Sequence, residues 1–244
     1  MTFAAFRNLP GCAVCLSSLA ACLLALAPVL PGDAPADEIP ARQAGSAMLA
    51  ALAGAADFVG LAQVRDTDYL RRRDIPVSGS AYLGVLIAYK AEQTEDLIEV
   101  YEKGLRAYEC YFPNPTVFEE GRRYLVFLRR DPGNAERFRG LPEGCALEVL
   151  VDRDNRYAVR MPVTGLRLTE AQQAALAERA HPTDFADPYA IIDDEALPPD
   201  QRDAMIEAGQ IVPYAPDAPS RRWKYTRGIP LDQFRELLEL EPDL

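Results

Sequence analysis

The run from Ala81 to Ala91 places Leu83, Val85, Ile87 and Tyr89 on one face and Leu86 and Ala88 on the other. That period of two predicts a strand with its richer face buried. A polar turn at Glu95-Asp96 follows, and Leu97 to Lys103 alternates again, Ile98 and Val100 against Glu99 and Tyr101, until Gly104 ends the run. Two strands joined by a short polar link predict a hairpin. Gly121 then opens the most apolar run of the chain, in which Tyr124, Val126 and Leu128 alternate with Leu125 and Phe127 before Arg129-Arg130-Asp131-Pro132-Gly133 closes it. Asp57 to Arg65 gives an earlier strand carrying Phe58, Val59 and Leu61. Leu147 to Val151 and Tyr157 to Val163 give a late hairpin around Asp152-Arg153-Asp154-Asn155. The aspartates of that turn lack the sixth-position glycine and the closing glutamate of a calcium loop, so they are assigned to a turn.

Helical spacing enters at both ends. An alanine-rich stretch from Gln43 to Ala53, with Met48, Leu49 and Leu52, suits a short helix beside the first strand. Thr169 followed by Gln172 is a capping-box signature for a helix running to about Ala180. Pro198-Pro199-Asp200 opens another helix that Gly209 ends, and Pro230 begins a last one with Leu231, Phe234, Leu237 and Leu238 on one face. The chain between these helices is rich in Pro, Asp and Ala, so this region is expected to wrap the strands or to hang from them as a loose extension. Asp66 to Asp74, containing Arg71-Arg72-Arg73, is expected to be a solvated link between strands.

The Ala56-Asp57-Phe58-Val59-Gly60 strand, a strand ending at Lys103-Gly104, then Cys110 with Phe112 nearby, then Gly121-Arg122-Arg123-Tyr124-Leu125-Val126-Phe127 form a loose pattern over residues 45–163. It resembles the tissue-inhibitor-of-metalloproteinase and netrin-module group of secreted OB-fold proteins. The resemblance implies a secreted barrel. Inhibitory members of that group use an N-terminal cysteine with a free amine, and no expected mature end of this chain begins that way, so the inhibitory chemistry is not implied. The expected fold is therefore α+β: a small antiparallel OB-like β-barrel with flanking short helices at 37–165, and an acidic, mostly helical or irregular C-terminal extension at 166–244.

Residues 1–36 have the character of a signal peptide, with Arg7 as a positive charge, an apolar region from Cys12 to Leu30, and Ala34-Pro35-Ala36 fitting a small-x-small cleavage site before Asp37. A competing pattern is the lipobox Leu19-Ala20-Ala21-Cys22, which would make Cys22 a lipidated N-terminus and the protein an anchored one. Otherwise the chain is expected in the periplasm or secreted. Cys12, Cys15 and Cys22 belong to the leader, which leaves Cys110 and Cys145. In an oxidising compartment such a pair is most simply a disulfide, contributing about 3 to 4 kcal/mol; two buried thiols are the alternative.

The formal net charge is −11, and the acid excess is concentrated late: sixteen acidic against eight basic residues from Leu166 onward. Such a balance argues against nucleic acid as a partner. Two basic clusters stand out as candidate partner-binding residues, Arg71, Arg72 and Arg73 in the link, and Arg222, Trp223 and Tyr225 in the tail. A solvated link and a core tryptophan with charge-neutralising neighbours are the plainer accounts of each.

No catalytic set is assigned. His181 is the one histidine and precedes Pro182; no nucleophile elbow, phosphate-binding glycine loop, or clustered Cys and His for a metal is present, and no cofactor is implied. Carboxylate pairs such as Glu119-Glu120 and Asp193-Asp194-Glu195 are ordinary in an acidic chain. Three functions remain: a non-catalytic exported protein that binds a protein or envelope component through the barrel surface, a carboxylate-dependent hydrolase with its site between barrel and extension, and a structural envelope lipoprotein.

Overall fold

A computed structural model of the protein describes residues 41–73, 75–93, 95–103, 118–215 and 220–240. A helix α1 (Ala41–Ala55) leads into β1 (Phe58–Arg72), β2 (Ile75–Lys90) and β3 (Leu97–Glu102), followed by β4 (Arg123–Asp131), β5 (Asn134–Gly140), β6 (Ala146–Val151) and β7 (Tyr157–Arg160). After α2 (Glu170–Arg179) come β8 (His181–Pro182), β9 (Ile191–Asp193), α3 (Pro199–Glu207), β10 (Ile211–Tyr214), β11 (Arg222–Tyr225), β12 (Arg227–Pro230) and α4 (Leu231–Leu237). The class is α+β, mostly strand with a few short helices.

The strands form a nine-stranded sheet in the order β1-β2-β3-β5-β4-β6-β7-β12-β8, with β1 also paired to β4, and a three-stranded sheet in the order β10-β11-β9. The sheet is thus larger than the small one expected, because β8 and β12 reach it from beyond Gly165. β1 is hydrogen-bonded on both edges, to β2 along its length and to β4 from Phe58 opposite Leu128 to Gln63 opposite Arg123. β3 meets β5 in parallel at Val100 and Phe138.

Alternation explains why two cores flank these strands. Phe58, Ala62 and Val64 of β1 and Tyr124, Val126 and Leu128 of β4 turn to one side, where they meet Leu83, Ile98, Val100 and Phe138. Val59 and Leu61 of β1 and Leu125 and Phe127 of β4 turn to the other, against Leu147, Val149 and Val159 and the apolar faces of the helices, with Leu49, Leu176 and Phe234 at the centre. A strand apolar at every position reads this way because it is covered on both faces. A third core, around Phe185, Met205, Ile211, Trp223 and Tyr225, lies under the smaller sheet and takes in Leu150 and Ala158. The chain after Gly165 packs on the sheet, since Ile229, Phe234 and Leu237 share a core with Val59 and Phe127.

Several elements depart from the pattern-based expectation. The Asp66–Asp74 segment, expected to be a link, is mostly strand: β1 continues to Arg72, pairing with Ile75, so that β1 and β2 form one long hairpin. Its outer residues alternate between half-buried and exposed, which is why no apolar period announced it. β5 was not expected at all; only Phe138 and Gly140 of its seven residues are buried. β7 ends at Arg160, short of the expected Val163. The Thr169 capping box forms as expected, with the Thr169 hydroxyl accepting from the Gln172 N–H and the Gln172 side chain accepting from the Thr169 N–H.

Candidate functional site

A polar cleft lies where the β6–β7 turn meets β8 and the end of β12. It encloses about 260 Å³ and is lined by Asp152, Arg153, Asp154, Arg156, His181, Asp184 and neighbours. Asp152 organises the turn. Its Oδ1 accepts from the N–H groups of Asp154 and Arg156 at 2.8 and 2.9 Å, and its Oδ2 accepts from Nε of Arg156 at 3.0 Å. Burial acts to raise the Asp152 pKa, yet the two N–H donors and the Arg156 guanidinium outweigh it and hold the carboxyl below its ordinary range. Asn155 takes a left-handed φ of 57° to complete the turn, a conformation asparagine tolerates.

On the facing wall, Asp184 accepts from Lys224 Nζ at 2.6 Å and from Arg153 Nε at 2.5 Å. The Lys224 hydrogen bond, followed by the two positive charges, keeps this carboxyl below its usual pKa. His181, expected in a loop, sits in the two-residue strand β8, exposed, its Nε2 3.1 Å from Gln233 Oε1. Arg156 also reaches Asp154 at 2.9 Å. Each carboxylate of the cleft is therefore matched to a cation, and the two with perturbed ionisation are shifted toward the charged form. A general acid at neutral pH needs the opposite shift.

A second charged group is buried between the cores. Glu148 of β6 accepts from Arg160 Nε at 2.6 Å and from Arg122 Nη1; Arg122 also pairs with Glu119 at 2.5 Å. Arg160 donates its remaining nitrogens to the Pro162 carbonyl and the Thr164 hydroxyl, and its guanidinium stacks 4.4 Å from the centre of the Tyr225 ring. Beside it, Arg123 holds the buried Asp187, which caps the 188–190 turn through the Tyr189 N–H. Burial pushes up the pKa of the neighbouring Tyr124 phenol. Sequence reasoning did not single out Glu148 or Arg160. The available signal was a charge at the inward position of an otherwise apolar strand, in Leu147-Glu148-Val149 and Ala158-Val159-Arg160.

The candidate partner-binding residues fall in two places. Arg71 and Arg72 end β1 and Arg73 forms the following turn at φ 52°, all three exposed on the long hairpin. The second cluster is largely interior. Trp223 and Tyr225 are buried, the Trp223 indole donating to Asp194 at 2.6 Å, while Arg222 is half-buried with its guanidinium near the Tyr214 ring. The two clusters lie on different sheets and share no site. Of the acidic pairs, Glu119 is bound to Arg122 and Asp194 to Arg202 and Trp223. Cys145 is fully buried beside β6, its carbonyl accepting from the Phe127 N–H at 2.8 Å. Cys110 and Cys22 lie outside the described residues. Among the described residues no cluster of potential metal ligands occurs, and no helix is long and apolar enough to cross a membrane.

Comparison with protein-family models, with curated proteins and with solved structures returned no match.

Proposed function

We propose that this is an exported, non-catalytic protein that binds a protein or envelope component through the outer surface of an OB-like barrel. The observation that carries the reading is the double pairing of β1, to β2 on one edge and β4 on the other. With the parallel β3–β5 contact it makes the pairings of β1, β2, β3, β5 and β4 return on themselves. Five strands in such a crossed order are how an OB-type barrel is built, and barrels of that type use their outer strands and loops for binding. Phe58–Gly60 and Arg123–Phe127 of the netrin-like sequence pattern lie on β1 and β4, the two strands whose pairing closes the circuit.

The surface reading is further supported at one end of the β2–β3 hairpin. Leu86 is exposed there, and Leu97, 55% exposed, stands opposite Gly84, two residues before Leu86 and so on the same face as it. Exposed aliphatic residues grouped on strands mark a surface suited to covering by a partner. Within the same proposal, cleavage after Ala36 releases the mature chain into the periplasm or medium, and Cys110 and Cys145 form its disulfide.

Site-specific photocrosslinking tests the function. A photoreactive residue at position 97 in cells producing the protein is expected to give a discrete adduct in the envelope fraction, weakened by Leu86→Asp. Absence of an adduct at 97 together with unchanged fractionation of Leu97→Asp would contradict the reading.

A further inference from the structure

Ala81 and Leu83 of β2 and Ile98 and Val100 of β3 turn into the barrel, so the residues alternating with them turn outward. Register then sets Asp66, Tyr82 and Glu99 in one row across β1, β2 and β3. Asp68, Ser80 and Tyr101 form the next row, and Gly84 with Leu97 lies on the opposite side of the first. β2 is paired on both edges along this stretch, so a partner here meets side chains rather than free backbone groups.

This outer face is acidic around an aromatic ring. Asp66 and Asp68 are exposed, and Tyr82 and Glu99 are half-buried. Ser80 Oγ donates to Glu99 Oε1 at 2.5 Å and the Thr67 N–H to Asp66 Oδ1 at 2.8 Å, contacts that orient both carboxylates without neutralising them. Asp131, Asp152, Asp184 and Glu148 are each bound to a cation, whereas Asp66, Asp68 and Glu99 take part in no ion pair among the described residues. Desolvation, then the charges of Glu99, Asp68 and Asp66, raise the Tyr82 phenol above its ordinary pKa. Arg65 is a cation of the same face, its side chain lying across Gly84, where an added Cβ would meet its Nε at 2.6 Å. Arg137, stacked 3.8 Å from the centre of the Tyr101 ring, is already bound to Asp131. Three carboxylates against the one guanidinium of Arg65 leave the face around Tyr82 negative.

Taking the barrel surface as the binding face, we infer that it seats a basic segment of a partner protein, with a lysine or arginine over the Tyr82 ring between Asp66 and Glu99 and an aliphatic residue on Leu97 and Leu86. Charge complementarity selects this occupant. Carboxylates repel the phosphates of nucleic acid and of anionic lipid, and they attract an ammonium or guanidinium group, as does the face of a tyrosine ring. No cluster of potential metal ligands occurs among the described residues, so the cation is not a metal ion held by three carboxylates. Leu97, 55% exposed, stands opposite Gly84, two residues along β2 from Tyr82. The basic and aliphatic side chains of the partner are therefore about 7 Å apart, the spacing of alternate residues in an extended segment. A free polyamine would meet the charges and leave the leucines uncovered.

The test is fluorescence anisotropy of the protein with a labelled peptide of repeating lysine-threonine-leucine-threonine, against the same peptide with glutamate in place of lysine. The wild type is expected to bind only the lysine peptide, and more weakly in high salt. Asp66→Asn with Glu99→Gln keeps both hydrogen-bond acceptors and is expected to weaken binding about five- to tenfold with the thermal melt unchanged. Tyr82→Leu is expected to weaken it about threefold and Leu97→Ser about fivefold. Arg65→Gln removes a repelling charge and is expected to tighten it about twofold. Three results would overturn the inference: no binding of the lysine peptide, equal binding by the wild type and the amide variant, or full binding by Leu97→Ser. Photocrosslinking at position 97 separates the partner's chemistry from the use of the surface. An adduct lost in the amide variant supports a basic partner; an adduct formed equally by both proteins rules one out and leaves the barrel surface as the binding face.

Discussion

Arg160 donates from Nε to Glu148 at 2.6 Å, and both side chains lie inside the protein, 8% and 13% exposed. The pair sits between the core under β1 and β4 and the core under the small sheet, and Arg160 touches Tyr225 of the latter. A charge pair buried between two apolar cores fixes how they meet, because any other arrangement strands a charge. Removing one member is then costly. Glu148→Ala is expected to destabilise the protein by about 3–5 kcal/mol, since the buried Arg160 guanidinium loses its carboxylate partner, while Arg122 keeps Glu119. Glu148→Leu combined with Arg160→Met is expected to recover most of that loss. Urea denaturation of the three proteins checks this, and equal loss in the double variant would show that the pair contributes net stability.

Asp152 makes folding pH-dependent in one direction. Its carboxyl is held below the ordinary value in the folded chain, so its contribution is present above the unfolded carboxylate value of about 3.9 and is lost as pH falls through the lower folded value. Asp152→Ala removes acceptors for two N–H groups and is expected to cost about 1–2 kcal/mol at pH 7. The gap from the wild type is expected to narrow below about pH 4. Chemical denaturation at pH 7 and pH 3 measures it; a gap that widens in acid would be the wrong sign.

Two glycines should respond oppositely to alanine. Gly79 has φ of 143°, and a Cβ there would lie 2.0 Å from the backbone oxygen of Asp68 on the paired strand. Gly79→Ala is expected to cost about 1–3 kcal/mol or more. At Gly54, in the last turn of α1, a Cβ meets nothing within 4 Å. Gly54→Ala is expected to stabilise by up to about 1 kcal/mol. Parallel thermal melts separate the two.

Thr169→Ala removes the hydroxyl half of the α2 capping box and is expected to cost about 1 kcal/mol. Thr169→Ser should restore it, as read by denaturant midpoint.

What could be read from sequence follows from what each signal measures. β2, β3, β4 and β6 were legible because burial on alternate positions writes itself as a period of two, and α2 because Thr169 and Gln172 interact locally. β5 was not, because Asn134-Ala135-Glu136-Arg137 faces solvent and its pairing with β4 is set by the fold. The outer half of β1 escaped for the same reason. Trp223 was readable as core from its surroundings, and the structure buries it. The Glu148–Arg160 pair was invisible because twelve residues separate its members and only the β6–β7 register, with Val149 opposite Val159, sets them side by side. The Arg71-Arg72-Arg73 cluster was visible, but its place at the end of the long β1–β2 hairpin was not.

Intact mass and N-terminal sequence of the protein recovered from the periplasm or medium, with and without reductant, bear most directly on an exported, disulfide-closed barrel. The account predicts a chain beginning at Asp37 that blocks thiol labelling until reduced, then takes up two labels at Cys110 and Cys145. A full-length chain in the cytosolic fraction, with both of those thiols reactive at the outset, would contradict it.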